Sequence, residues 1–269
     1  MFKDNFSRYE FKFPISYDDM DRMIDDLIPH VKQDDYVNEY GIYTISSIYM
    51  DNIRKECYYE TLNNDFYRQK VRLRVYGREN NGESDAFLEL KSKIDGLVIK
   101  RRVRLKLSDA MAFINECSEK GADADSDSCK CSNPQILKEI KHVIISKQLK
   151  PVNVISYERL PLVSLEDSSL RITFDFNLRS RGDDLDLTHG TDGERRMPKQ
   201  VAILEIKTNK AIPLWLTKIL AKYKYRNQTF SKYCSHYAPM RILSEINSNE
   251  KKGENNKNVE SIHRKYNIG

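Results

Sequence analysis

Nowhere in the sequence do about 20 apolar residues run together without a charge, so no membrane-spanning helix is expected. The first nine residues are polar and lack the apolar run of a secretory signal, so a leader is not expected either. Cysteine is scarce: Cys57, Cys117, Cys129, Cys131 and Cys234 are odd in number and irregular in spacing. Cys129 and Cys131 are separated by one residue rather than two, and no histidine stands beside them at ligand spacing. This excludes a disulfide framework and a structural zinc, and a reducing, cytoplasmic setting is expected. Histidine is equally sparse. His30, His142, His189, His236 and His263 are scattered, and each reads as surface or packing rather than as a catalytic base. There is no internal repeat and no linker that divides the chain.

What remains is a chain of 269 residues, 39% of them hydrophobic, too apolar for disorder and long enough to bury a sizeable core. The net charge of +5 is too modest to identify a partner by itself. Residues 1–246 read as one domain, and the Asn-, Lys-, Glu- and Ser-rich stretch Asn247–Gly269 reads as a disordered tail. Gly121–Ser132 and Gly182–Lys199 are expected to be surface loops.

Helical spacing is clear in five places. Ser16 reads as an N-cap before Met20, Met23, Ile24, Leu27 and Val31, with Asp18 and Asp19 in the first turn. Further helices are expected from Ser108, with Ala112, Phe113 and Cys117 on one side, and after Pro134. Two more are expected over Leu214–Tyr223, with Pro213 as first helical residue, and over Phe230–Ile242. Most other segments alternate with period two, as strands with one wet or charged face do. Over Val71–Tyr76, Val71, Leu73 and Val75 oppose Arg72, Arg74 and Tyr76. Phe87–Lys93 sets Leu88 and Leu90 against Glu89, Lys91 and Lys93, and Ile99–Leu105 sets Ile99, Val103 and Leu105 against Lys100, Arg102 and Arg104. Ile172, Phe174 and Phe176 oppose Arg171, Thr173 and Asp175, and Glu205 shares a face with Lys207. Glu10 and Lys12 oppose Tyr9, Phe11 and Phe13, and Tyr43–Met50 and Val154–Arg159 are two further strands.

An ordinary solvated face mixes neutral polar residues with both signs of charge. Here Lys12, Arg72, Arg74, Lys91, Lys93, Lys100, Arg102, Arg104, Arg171 and Lys207 greatly outnumber Glu10, Glu89, Asp175 and Glu205. Cations gathered on neighbouring strands repel unless a polyanion neutralises them. Arginine and lysine forks suit phosphate oxygens, and the few carboxylates suit either pairing with those cations or holding Mg²⁺ or Mn²⁺. Phe11, Phe13, Phe174 and Phe176 lie opposite the cations rather than among them, against the pattern of a nucleic-acid platform.

Several motifs now stand in one order. They are Ile45-Ser46-Ser47-Ile48-Tyr49-Met50-Asp51-Asn52, Arg72-x-Arg74-x-Tyr76, Glu89-x-Lys91, Lys100-x-Arg102, Arg171-Ile172-Thr173-Phe174-Asp175, Leu204-Glu205-Ile206-Lys207 and Phe230-Ser231-Lys232-Tyr233. Over roughly residues 6–240 they resemble the VTC domain, the polyphosphate polymerase module of the vacuolar transporter chaperone family, within the triphosphate tunnel metalloenzyme (CYTH-like) superfamily. The resemblance implies an α+β fold: an antiparallel closed β-barrel of about eight strands, flanked by helices and enclosing a charged tunnel. It implies transfer of the terminal phosphoryl group of ATP onto a growing polyphosphate chain. Lys12, Arg72, Arg74, Lys91, Lys100, Arg171 and Lys232 would contact phosphate, with Arg102 and Lys207 on the same faces. Glu205, joined by Glu10, would hold Mn²⁺ or Mg²⁺, and any membrane association would come from a membrane-protein partner. Two positions depart from the pattern: Arg8 replaces a glutamate, which bears on a second metal, and Thr229 replaces a lysine, which bears on chain elongation. Hydrolysis of triphosphate in the same tunnel, and non-catalytic binding of polyphosphate or inositol phosphate, are the alternatives.

Overall fold

A computed structural model describes residues 9–34, 37, 41–95, 97–124 and 129–240. Arg8, His263 and the tail from Asn247 lie outside the described residues. The chain opens with strand β1 (Tyr9–Ser16), in which Phe11, Phe13 and Ile15 face the interior. Ser16 then caps helix α1 (Tyr17–Leu27) by accepting from the Asp19 amide, and the buried residues Met20, Met23, Ile24 and Leu27 follow at helical spacing. Strand β2 (Val31–Gln33), rather than the helix, takes Val31. Strand β3 (Tyr43–Asp51) leads into helix α2 (Glu56–Leu62), which the sequence did not announce because Lys55 enters it in the left-handed conformation.

Three long strands follow as two hairpins: β4 (Tyr67–Tyr76), β5 (Asp85–Ile94) and β6 (Leu97–Lys106). Helices α3 (Leu107–Lys120) and α4 (Pro134–Ser146) cover their apolar side. On α3 the buried stripe is Ala110, Phe113, Ile114 and Cys117, with Ala112 turned outward. Ile99 is also exposed at the hairpin end rather than packed in the core. Strands β7 (Lys150–Ser164), β8 (Arg171–Arg181), the short β9 (Glu194–Arg195) and β10 (Val201–Thr208) complete the sheet. Helix α5 (Leu214–Tyr223) begins one residue after Pro213, which is its N-cap. Helix α6 (Lys232–Tyr237) is shorter than the spacing predicted, because Ser231 caps it and it stops before Ala238.

All strand pairs are antiparallel, in the order β1-β10-β8-β7-β3-β4-β5-β6, with β2 on β7 and β9 on β8. The sheet is not closed into the expected barrel: β1 and β6 end the order and do not pair. A loop covers each edge at one residue, which blunts it against strand addition. Along β1, the Lys12 amide donates to Asn227 Oδ1 at 2.9 Å and its carbonyl accepts from Gln228 at 2.8 Å. Along β6, the Arg104 amide donates to Ser132 Oγ and its carbonyl accepts from the Ser132 amide, both at 2.8 Å. The sheet nevertheless curls steeply. Glu10 on β1 comes within 3.7 Å of Lys91 on β5, although five strands stand between them in the order. Most buried apolar residues lie on the convex side in two clusters, one under α3 and α4 and one under α1 and α5, and the charged residues line the concave side. Among the described residues, no helix is long and apolar enough to cross a membrane.

A cation-lined concave face as candidate active site

The concave side is organised around buried carboxylates. Glu89, 1% exposed at the middle of β5, receives Arg72 Nε at 2.7 Å, Lys100 Nζ at 2.5 Å and Arg102 Nε at 3.3 Å. The register explains the convergence, because Arg72 and Arg102 are its cross-strand partners on either side and Lys100 is a diagonal neighbour. Arg74, buried one step further along β4, donates to Ser47 Oγ at 3.2 Å and to the Tyr157 hydroxyl at 3.4 Å. Arg72 also donates to the Tyr49 hydroxyl at 3.1 Å.

A second centre joins β8, β10 and α6. Asp175 accepts a two-point fork from Arg159 at 2.6 and 2.7 Å and pairs with Lys232 at 2.5 Å. Glu205 pairs with Lys207 at 2.7 Å, Arg159 at 3.4 Å and Lys232 at 3.9 Å. A fourth carboxylate, Glu10, pairs with Lys12 at 2.8 Å and Lys91 at 3.7 Å and lies diagonally across the β1–β10 pair from Glu205. The structure thus brings together Lys12, Arg72, Arg74, Lys91, Lys100, Arg102, Lys207, Lys232, Glu10 and Glu205. It does not bring Arg171 into this group: that side chain is exposed at the strand's start and pairs with Asp34 at 2.6 Å.

Arg159 takes the position in the second centre. In the sequence it marks only the end of a strand, because Asn153, Ile155 and Tyr157 precede it on the same face without charge. The signal that could have found it is Tyr157-x-Arg159, the same two-residue spacing of ring and guanidinium as Arg74-x-Tyr76. Lys70, whose Nζ lies 3.3 Å from Ser231 Oγ, joins the same face.

The electrostatics show the imbalance. Burial works against ionisation of Glu89, but Arg72, Arg74 and Lys100 hold it far below the usual carboxylate range. Burial likewise opposes charge on Glu205 and Asp175. Lys207 and Lys232 overcome it at Glu205, and Arg159 and Lys232 overcome it at Asp175, so both stay ionised. Lys232, between Asp175 and Glu205, is raised, but at Lys91 and Lys100 the charged form is disfavoured. Burial, reinforced by Lys12, Lys207 and Arg72, lowers Lys91, and burial with the neighbouring arginines lowers Lys100. Tyr49 is unusual: burial disfavours its phenolate, yet Arg72 and Arg74 bring its pKa down to about 8. These shifts mark a concave face with more positive charge than its own acids neutralise.

The donor set fits a hard divalent cation. Glu10 and Glu205 sit on neighbouring strands as diagonal neighbours, and the Thr173 hydroxyl, opposite Glu205 in register, is buried with no hydrogen-bond partner. Among the described residues, no three His, Cys, Asp or Glu side chains form a ready cage. Mg²⁺ and Mn²⁺ are often held that way, by one or two carboxylates with phosphate oxygens completing the shell.

Comparison with known proteins agrees with this architecture. A Trypanosoma brucei brucei protein, vacuolar transporter chaperone complex subunit 4, is 29% identical over 275 residues, covering 87% of this chain and 34% of that protein. The chain therefore spans about a third of the length of that relative. The fold is similar to that of a provisionally assigned adenylate cyclase from Bacillus halodurans, with a TM-score of 0.50 and 12% identity over 86% of this chain and 99% of that one. A Pyrococcus horikoshii protein is 14% identical at a TM-score of 0.39, over 85% of this chain and 98% of that one. The family model of the VTC domain matches residues 7–241, from β1 through α6, and the chain belongs to the VTC domain family.

Proposed function

We propose that this chain is a polyphosphate polymerase: it binds the triphosphate of ATP along the concave face and passes the terminal phosphoryl group to inorganic polyphosphate. The observation that carries this reading is the convergence of Lys12, Lys70, Arg72, Arg74, Lys91, Lys100, Arg102, Arg159, Lys207 and Lys232 around only four carboxylates. Family membership and the complex-subunit relative support it at the level of the family.

Phosphoryl transfer asks the protein mainly for positioning and charge. Arg72 and Arg74 would grip non-bridging oxygens with forks already oriented by Tyr49, Ser47 and Tyr157. Lys232 and Arg159 would stabilise charge on the transferred group, beside Glu205. Mn²⁺ or Mg²⁺, held by Glu205 and Glu10, would neutralise phosphate charge and organise the reacting oxygens. Lys12, Lys91 and Lys207 would hold the anionic acceptor. A terminal phosphate is already ionised at neutral pH, so no general base is required. In keeping with that, His30 stacks on Trp215, His189 pairs with Asp184 and His236 bonds to Ser180. A cytoplasmic setting and a membrane-protein partner belong to the same proposal.

The test is incubation with ATP and Mn²⁺, with and without a short polyphosphate primer, following long chains, ADP and free phosphate. Long chains with matching ADP, lost in Glu205→Gln and in Arg72→Ala/Arg74→Ala, are expected. Free phosphate without chains would make the protein a triphosphatase, and binding without turnover would make it a polyphosphate-binding module.

A further inference from the structure

One end of the concave face carries rings as well as charge. Tyr43 opens β3, Tyr76 closes β4 and Phe87 lies near the start of β5, and antiparallel pairing sets them side by side. Tyr76 meets Tyr43 and Phe87 edge to face, with centroids 5.7 and 5.6 Å apart. Arg102 lies on this group: its Cζ is 3.6 Å above the Phe87 centroid, and its Nη2 donates to the Tyr76 hydroxyl at 3.1 Å. Its Nε is held by Glu89 at 3.3 Å, so the guanidinium is fixed from three directions. Tyr76 nonetheless keeps 38% of its surface exposed and the Arg102 side chain 36%, which core packing would have removed.

We propose that the Tyr76–Phe87–Arg102 stack is a platform for the aromatic base of the donor nucleotide. A planar guanidinium backed by a ring is a surface on which nucleobases stack, and it tolerates any base because each has a π-face. From Phe87 the same face of β5 continues through Glu89 to Lys91, four residues or about 14 Å along the strand. A base on the platform therefore directs its phosphates towards Lys100 and Arg72 around Glu89, and on towards the Glu205 centre across the curl of the sheet. Inorganic polyphosphate uses the same cations but has nothing to place on the platform. The stack thus distinguishes donor from acceptor on a wall that otherwise treats all phosphates alike. This inference rests on the phosphotransferase reading.

The test is calorimetric titration of the full chain with a non-hydrolysable ATP analogue and, separately, with inorganic tripolyphosphate. Phe87→Leu is expected to weaken the nucleotide by about ten-fold, the size of a lost base–aromatic contact, while tripolyphosphate binding changes less than about two-fold. Tyr76→Ala is expected to follow Phe87→Leu for the nucleotide, and Tyr76→Phe, which keeps the ring, to retain it. Retained tripolyphosphate binding doubles as the control for folding. An equal loss for both ligands, or no loss for the nucleotide, would overturn the platform. Failure of the unaltered protein to bind tripolyphosphate at all would instead overturn the phosphotransferase reading beneath it.

Discussion

Arg159 on β7 forks both oxygens of Asp175 on β8, at 2.6 and 2.7 Å, and so fixes the carboxylate that also receives Lys232 from α6. Asp175 is 2% exposed, so this three-way contact balances charge where water cannot. Removing one partner of a buried ion pair costs about 3–5 kcal/mol, because the remaining charge is left without compensation. Asp175→Asn is therefore expected to lower stability by about that amount in denaturant melts. Tripolyphosphate should restore part of the loss, since a bound anion stabilises whichever state holds it. Equal losses with and without the anion would show that Asp175 does not balance the phosphate-binding cations.

Tyr49 gives the face a pH dependence. Its pKa of about 8 in the folded chain lies below the usual 10. Ionised Tyr49 thus adds stability that is fully present above about pH 10 and is lost as pH falls through about 8. The same phenolate occupies Arg72, so tripolyphosphate affinity is expected to fall as pH rises through that value. Difference absorbance should show a phenolate step near pH 8 that Tyr49→Phe lacks, and Tyr49→Phe should flatten the affinity profile. A wild-type titration with no step below pH 9 would refute this.

The Glu10–Lys91 contact separates function from stability. It is long, at 3.7 Å, and Lys91 is 45% exposed, so the pair contributes no more than about 1 kcal/mol to folding. Lys91→Met is expected to melt like the unaltered protein, yet to bind tripolyphosphate more weakly and with a smaller dependence on salt. A large drop in melting temperature would make the contact a structural clasp across the curled sheet.

Asp51 anchors the helix that presents Lys232. Its buried carboxylate accepts from the amides of Cys57 and Tyr58 at the start of α2, at 2.9 and 3.0 Å, and from the Tyr233 hydroxyl on α6. Asp51→Ala leaves these donors unpaired, at a cost of about 2–3 kcal/mol. Stability and tripolyphosphate affinity should fall together, because Lys232 precedes Tyr233 on the helix. Loss of stability with unchanged affinity would detach Lys232 from this anchor.

The sequence was legible wherever a property repeats locally. Period-two alternation put Arg72, Lys91, Lys100, Glu205 and Lys12 on one side of their strands, and the side proved concave in each case. Ser16, Asp18 and Asp19 announced α1 because capping is settled within one turn. Where signals were diluted the reading faltered. The run of β7 ahead of Arg159 carries Asn153, Ile155 and Tyr157 on the concave side, so its one charge looked incidental. Arg171 obeyed the alternation but lies at the start of β8, where Asp34 can reach it.

By itself, then, the sequence determined which face each strand would bury and that a surplus of cations would gather on the other, because backbone geometry imposes a period of two on every strand. Tertiary structure decided which of those charges meet. Asp34 and Arg171, or Glu10 and Lys91, are brought together by strand order and the curl of the sheet. It also decided that the edges stay apart. Residues 227–228 cover the edge of β1 at Lys12 and Ser132 that of β6 at Arg104, and side chains such as Glu10 and Lys91 span the interval the backbone leaves open.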